Sequence, residues 1–127
     1  MQDRFKFRYF DENHGMKEIS LTNCYYTNLD YSKLMQCTGS RDKHGKLIYE
    51  GDIVKTTLAN NSKITFLVVW NDKEALFDGK ILKRDGVGGY FIARQDYLYY
   101  LLGNGKDEKT EVIGNKFQNP ELLSEVE

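Results

Sequence analysis

The chain has 127 residues, 40% of them hydrophobic and 13% aromatic, enough for one packed domain and too apolar for a disordered segment. Eighteen Lys and Arg stand against nineteen Asp and Glu, a formal net charge of −1, so no global field draws the chain to DNA or to an anionic membrane. No apolar run approaches the roughly 20 residues of a membrane-spanning helix, and Met1–Phe5 opens without the apolar stretch of a secretory signal. The expectation is a single domain over residues 1–127, cytoplasmic and without a membrane partner.

Phe5, Phe7 and Tyr9 alternate with Lys6 and Arg8, the period of a half-buried strand whose basic pair faces away from the rings. Turn chemistry at residues 11–15 brings Met16–Leu21 back as a second strand, an N-terminal hairpin. Leu34–Thr38 reads as a short strand closed by Gly39. Asp42-Lys43-His44-Gly45 is a turn, and Lys46–Tyr49 leads out of it. Glu50-Gly51-Asp52 punctuates before Ile53-Val54-Lys55.

Asn60-Asn61 is the turn pair of the clearest hairpin. After it, Ile64, Phe66, Val68 and Trp70 line one strand face and Leu67 and Val69 the other, the pattern of a central strand ending at Asn71-Asp72. Lys80–Lys83 reads as another short strand, Gly86–Gly89 as a turn before Tyr90-Phe91-Ile92. Ala93, Tyr97, Leu98, Leu101 and Leu102 recur at helical spacing with Gly103 as a stop, which favours a short helix, although Tyr97, Tyr99 and Tyr100 carry strand propensity. Glu111–Phe117 is a strand with a bulge expected at Gly114. Asn119-Pro120 reads as an N-cap and first helical position, starting one turn over Glu121–Ser124. The pattern predicts a mainly β fold: a small barrel or curled antiparallel sheet with one or two short helical pieces near the C-terminus.

Three blocks carry a family resemblance. Residues 34–39 with 42–54, from Leu34-Met35-Gln36-Cys37-Thr38-Gly39 to Gly51-Asp52-Ile53-Val54, form the longest. Glu111-Val112-Ile113-Gly114-Asn115 with Asn119-Pro120-Glu121-Leu122-Leu123 closes the chain, and Phe5-Lys6-Phe7-Arg8 opens it. In this order the blocks resemble the YopX family over nearly the whole chain. Cys37 stands where that family usually has Tyr, Tyr9-Phe10 where it has Ala-Trp, and His44 where Asn is common. The resemblance implies a phage- or prophage-encoded protein of the bacterial cytoplasm and brings no mechanism with it. Gly39, Asp42, Gly45, Tyr49, Gly51, Asp52, Gly114, Asn115, Asn119 and Pro120 read as positions that specify turns, bends and a helix start. The competing reading makes Tyr49, Glu50 and Asp52 a polar binding edge.

Catalytic chemistry finds little footing. Cys24 and Cys37 cannot build a disulfide framework, and a zinc set of His14, Cys24, Cys37 and His44 lacks any knuckle spacing. Gly45-Lys46, Gly79-Lys80 and Gly105-Lys106 lack the Ser or Thr of a phosphate loop, and Gly86-x-Gly88 has Phe91 where a dinucleotide fingerprint needs glycine. His14 and His44 fall in turns, and Asn60-Asn61-Ser62 reads as a turn rather than a glycosylation site. The expectation is no catalytic, cofactor-binding or metal site, and no enzyme.

Binding remains. Arg41, Lys43 and Lys46 share one loop and are the candidate nucleic-acid contacts, with Lys6 and Arg8, and Lys80, Lys83 and Arg84, as further basic groups. Interspersed charge and a negative total speak for an ordinary solvated surface instead. Nine tyrosines, paired at Tyr25-Tyr26 and Tyr99-Tyr100, suit protein interfaces. The leading expectation is a non-catalytic protein-interaction module, binding a second copy or a host protein; the alternative is a small-barrel nucleic-acid-binding protein.

Overall fold

The structure, a computed structural model, describes residues 6–19, 30–57, 63–85, 95–97 and 109–124. The alternating and β-branched segments among them form two antiparallel sheets. In the first, β1 (Phe7–Asp11), β2 (Gly15–Ile19), β3 (Leu34–Arg41) and β4 (Leu47–Tyr49) lie in the order β2-β1-β3-β4. In the second, β5 (Asp52–Thr57), β6 (Lys63–Asn71), β7 (Leu76–Asp85), β8 (Gln95–Tyr97) and β9 (Glu111–Asn115) lie in the order β8-β7-β6-β5-β9. One sheet curls into a half-barrel, and the described helical pieces are 3-10 turns at Tyr31–Lys33 and Pro120–Ser124. The fold is mainly β, as the patterning predicts.

The N-terminal hairpin forms as expected, with Phe7 opposite Ile19 and Asp11 opposite Gly15. β3 runs past its expected end at Thr38, because Gly39 at φ +86° and an irregularity in its pairing with β4 carry the ladder on to Arg41. β7 is longer than the expected Lys80–Lys83, since residues 76–79 before it and 84–85 after it also pair with the long central β6. The Asn60-Asn61 turn, Gly86–Gly89 and Tyr90–Ile92 lie outside the described residues.

The short helix expected over Ala93–Leu102 is corrected at residues 95–97, which pair with β7, Gln95 opposite Lys80 and Tyr97 opposite Asp78. Main-chain groups along β7 offer this segment a ladder, and pairing outweighs the helical spacing of its apolar residues. The rest of that stretch lies outside the described residues. β9 ends at Asn115, two positions before the expected Phe117, and the expected bulge is present. Ile53 faces Gly114 while Val54 faces Val112, so Ile113 is the extra residue.

Two buried clusters hold the sheets. Ile48, Val54, Ile64, Phe66 and Val68 make the first, flanked by Phe77, Ile81 and Val112; Met35, Cys37 and Tyr49 make the second, flanked by Phe10, Met16, Leu47 and Phe117. Strand alternation on β4 sends Ile48 into one cluster and Leu47 and Tyr49 into the other, so this three-residue strand stitches the two together. Phe10 and Phe117 stack with centroids 5.2 Å apart.

Trp70 is a correction. It shares a face with Phe66 and Val68 but lies at the end of β6, 41% exposed, its ring edge-on to Phe77 at 5.0 Å. Replacing Phe66, which is fully buried, by Ala is expected to cost about 3–5 kcal/mol. Trp70→Ala should cost about 1 kcal/mol, the scale of one aromatic pair. Urea unfolding followed by far-ultraviolet circular dichroism measures both.

Candidate functional site: the sheet corner and its pocket

The turn from β4 into β5 joins the sheets. The Glu50 N–H donates to the Gln36 carbonyl on β3 (2.9 Å), the Gly51 N–H to the Val68 carbonyl on β6 (2.8 Å), and the Gly51 carbonyl accepts from the Lys116 N–H just after β9 (2.9 Å). Gly51 sits at φ +88°, which favours glycine, and a Cβ there would lie 3.1 Å from the Met35 Sδ, close enough to push on that side chain.

Asp52 follows, 1% exposed. Its carboxylate accepts the Tyr49 N–H at 2.8 Å and pairs with the Arg8 guanidinium, which also lies 4.6 Å from the centre of the Tyr49 ring. Burial pushes the Asp52 carboxyl above its ordinary range, against the pull of Arg8 and of the Tyr49 N–H. Arg8 thus corrects the expectation that it faces water beside Lys6, for it is 7% exposed. Its charge is compensated by a carboxylate 44 positions away, which strand alternation cannot reveal.

Asp42 fastens the other signature loop. Its Oδ1 accepts the N–H groups of His44 and Lys46, each at 2.9 Å, and its Oδ2 accepts that of Val112 on β9 at 3.1 Å. Burial raises the Asp42 carboxyl, but these three bonds outweigh it and hold the group below its ordinary value. At the far end of β9, Asn119 Oδ1 accepts the Asn115 N–H (3.2 Å), and the Asn119 N–H returns to the Asn115 carbonyl (2.9 Å). A Cβ on Gly114 would come within 2.6 Å of that Asn119 oxygen.

Over the corner, on the first sheet, lies a pocket of about 300 Å³ lined by Arg8, Met16, Glu18, Arg41, Lys46, Leu47 and Tyr49. Register places Glu18 opposite Arg8 and Leu47 opposite Arg41. Burial first, and the charge of Glu18 second, push the Tyr49 hydroxyl up to about 12, so it stays protonated. That hydroxyl and Arg8 Nε find no hydrogen-bond partner of normal geometry among the described residues. Arg41 Nη1 donates to the Gly45 carbonyl at 2.7 Å, holding its guanidinium at the rim.

A family model described as YopX protein matches residues 5–124. The chain belongs to the YopX family. No curated protein matches it.

The YopX signature maps onto this frame. Tyr49, Gly51 and Asp52 build the corner, Asp42 and Gly45 the β3–β4 turn, and Gly114, Asn115, Asn119 and Pro120 the end of β9, while Gly39 carries β3 through its bend. Of the departures from the family pattern, Cys37 is fully buried beside Met35 and Tyr49, Phe10 stacks on Phe117, and His44 Nε2 lies 3.3 Å from Glu111 in an exposed turn. Cys24 lies outside the described residues, and His14 sits in the exposed β1–β2 turn against Asp11 at 2.9 Å.

The three loop cations separate. Arg41 and Lys46 face the pocket, whereas the Lys43 ammonium lies 3.9 Å from the Glu111 carboxylate. Met16, Glu18 and Leu47 are the pocket residues that sequence reasoning did not single out, and Arg8 entered it only as one of an outward-facing basic pair. Only the expected hairpin, placing residues 16 and 18 on one face, hints at them.

Arg8→Met and Asp52→Asn are each expected to cost about 3–5 kcal/mol, and the double variant less than their sum, because each alone strands a buried group. Asp42→Asn should cost about 1–3 kcal/mol near neutral pH. Since Asp42 is depressed in the fold, its contribution is complete above its ordinary value of 3.8. The gap between wild type and variant should therefore shrink as pH falls below that value. Urea midpoints across a pH series test it.

Proposed function

We propose that this YopX chain is a phage- or prophage-encoded, non-catalytic module of the bacterial cytoplasm that works by binding a protein, either a host protein or a second copy of itself. The observation that carries this reading is the pocket, where the apolar walls of Met16 and Leu47 meet a cationic rim in one small concavity. Protein surfaces offer such mixed apolar and acidic groups together. Nucleic acid instead needs a basic track running from phosphate to phosphate.

At the corner, the cations among the described residues do not form a track. Arg8 pairs with Asp52 and Lys43 leans on Glu111, while Arg41 and Lys46 gather at a single spot. The non-catalytic reading is supported by what the ionisable groups at the corner do: Asp52 anchors Arg8 and a backbone N–H, and Tyr49 remains protonated. Among the described residues, no helix is long and apolar enough to cross a membrane.

The test is a pull-down with the tagged chain from bacterial lysate, with and without nuclease, read by mass spectrometry beside light scattering of the purified chain. The expected result is a discrete protein that survives nuclease, or a stable self-assembly. A captured set that disappears with nuclease, from a chain that stays monomeric, overturns the reading in favour of nucleic acid.

A further inference from the structure

We infer that the pocket on the first sheet receives a neutral amide group on a short apolar body, as a polypeptide presents in an Asn or Gln side chain or in a peptide unit. The inference rests on the protein-binding reading and specifies what part of the partner enters.

The floor sets the demand for an acceptor. Arg8 is 7% and Tyr49 5% exposed, and both line the pocket. Arg8 Nε and the Tyr49 hydroxyl are buried without a hydrogen-bond partner of normal geometry among the described residues. The two side chains are held together, for the guanidinium lies 4.6 Å from the centre of the Tyr49 ring. Two unserved donors in one small concavity are a costly state that an entering oxygen relieves.

Charge decides that this oxygen is neutral. The Arg8 guanidinium is matched by Asp52, so its Nε–H offers a hydrogen bond from within a pair of no net charge. Glu18 stands opposite Arg8 in the ladder. Burial first, and the Glu18 charge second, raise the Tyr49 hydroxyl to about 12, so the field at that oxygen already opposes a second negative charge. The exposed Glu18 carboxylate instead accepts an N–H. An amide offers both groups at once, a carbonyl oxygen for the two donors and an N–H for Glu18. Met16 and Leu47 supply apolar wall for the carbons that carry it, and about 300 Å³ is at the small end of ligand sites. Acidic groups on the same partner belong at the exposed rim, outside this floor.

The experiment is a ¹⁵N–¹H correlation titration of the full chain with four probes: butyramide, N-methylbutyramide, butyrate and uridine. The first three share one apolar body and differ in the polar head. Either amide should shift the backbone signals of residues 8, 16, 18, 46, 47 and 49 saturably in the millimolar range, and butyrate should bind at least about fivefold more weakly. Tighter binding of butyramide identifies an Asn or Gln side chain as the source, and tighter binding of N-methylbutyramide a peptide unit.

Tyr49→Phe should weaken both amides about fivefold and leave the urea midpoint unchanged or higher, because it deletes a buried hydroxyl that lacks a partner. Glu18→Gln, at an exposed position, should abolish the discrimination against butyrate. Lys43→Glu, outside the pocket lining, should leave binding unaltered. No saturable shift from either amide, as when water alone serves the two donors, overturns the inference. So does butyrate binding as tightly as the amides, discrimination that survives Glu18→Gln, tighter binding of uridine, or a lower urea midpoint for Tyr49→Phe. A nuclease-resistant protein captured by a chain silent in the titration overturns the pocket assignment alone. Saturable, amide-selective binding upholds it even where the pull-down proves nuclease-sensitive.

Discussion

Both sheets depend on the corner at Tyr49–Asp52, and the corner depends on a buried ion pair. Asp52 can sit at 1% exposure only because the Arg8 guanidinium and the Tyr49 N–H satisfy it. A lone carboxylate there would neutralise or unfold its surroundings. With Asp52 fixed, the preceding Gly51 is held at its positive φ, and its N–H and carbonyl bind β6 and the segment after β9. The first strand of one sheet thus locks the first strand of the other. Hydrophobic burial alone carries no such address, because it is non-directional.

A second constraint acts at the edge of the half-barrel. β9 closes the order β8-β7-β6-β5-β9, and a bare edge strand is a template for unwanted pairing. Here the Val112 and Asn115 N–H groups are taken by Asp42 and Asn119. The bulge at Ile113-Gly114 twists the strand further out of register, and the approach of Asn119 to Gly114 leaves no room for a Cβ. Among the described residues, polar side chains from two loops, rather than another strand, finish the sheet.

The same arrangement gives the surface its character. The face of the first sheet that carries Arg8 also carries Tyr49 and Glu18, and the turn fastened by Asp42 swings Arg41 and Lys46 to the rim. Residues that hold the fold are therefore the floor of the concavity, and Met16, Leu47, Arg41 and Lys46 form its walls and rim. Signature residues can specify a fold and still shape a binding surface, because Asp52 acts on the pocket through Arg8 without lining it.

Much of this was legible in the chain itself. Alternation fixed the N-terminal hairpin and the central β6, turn residues marked residues 11–15 and 42–45, and Gly114 announced its bulge, since these depend on neighbours within a few positions. The helix expected over Ala93–Leu102 failed at Gln95–Tyr97 because β7 supplied a ladder that local spacing does not register. Trp70 was placed in the core by a pattern that does not say where a sheet's cover ends. Arg8 is the sharpest case: beside Phe7 and Tyr9 it reads as solvent-facing. Only the tertiary structure could bring it to Asp52, 44 positions on, and to Glu18 and Tyr49 in one pocket. Sequence by itself determined the β class, the turns and the family, because local sterics and period decide them. The tertiary structure decided which charges are buried and which are paired, because compensation of charge is a matter of distance in space.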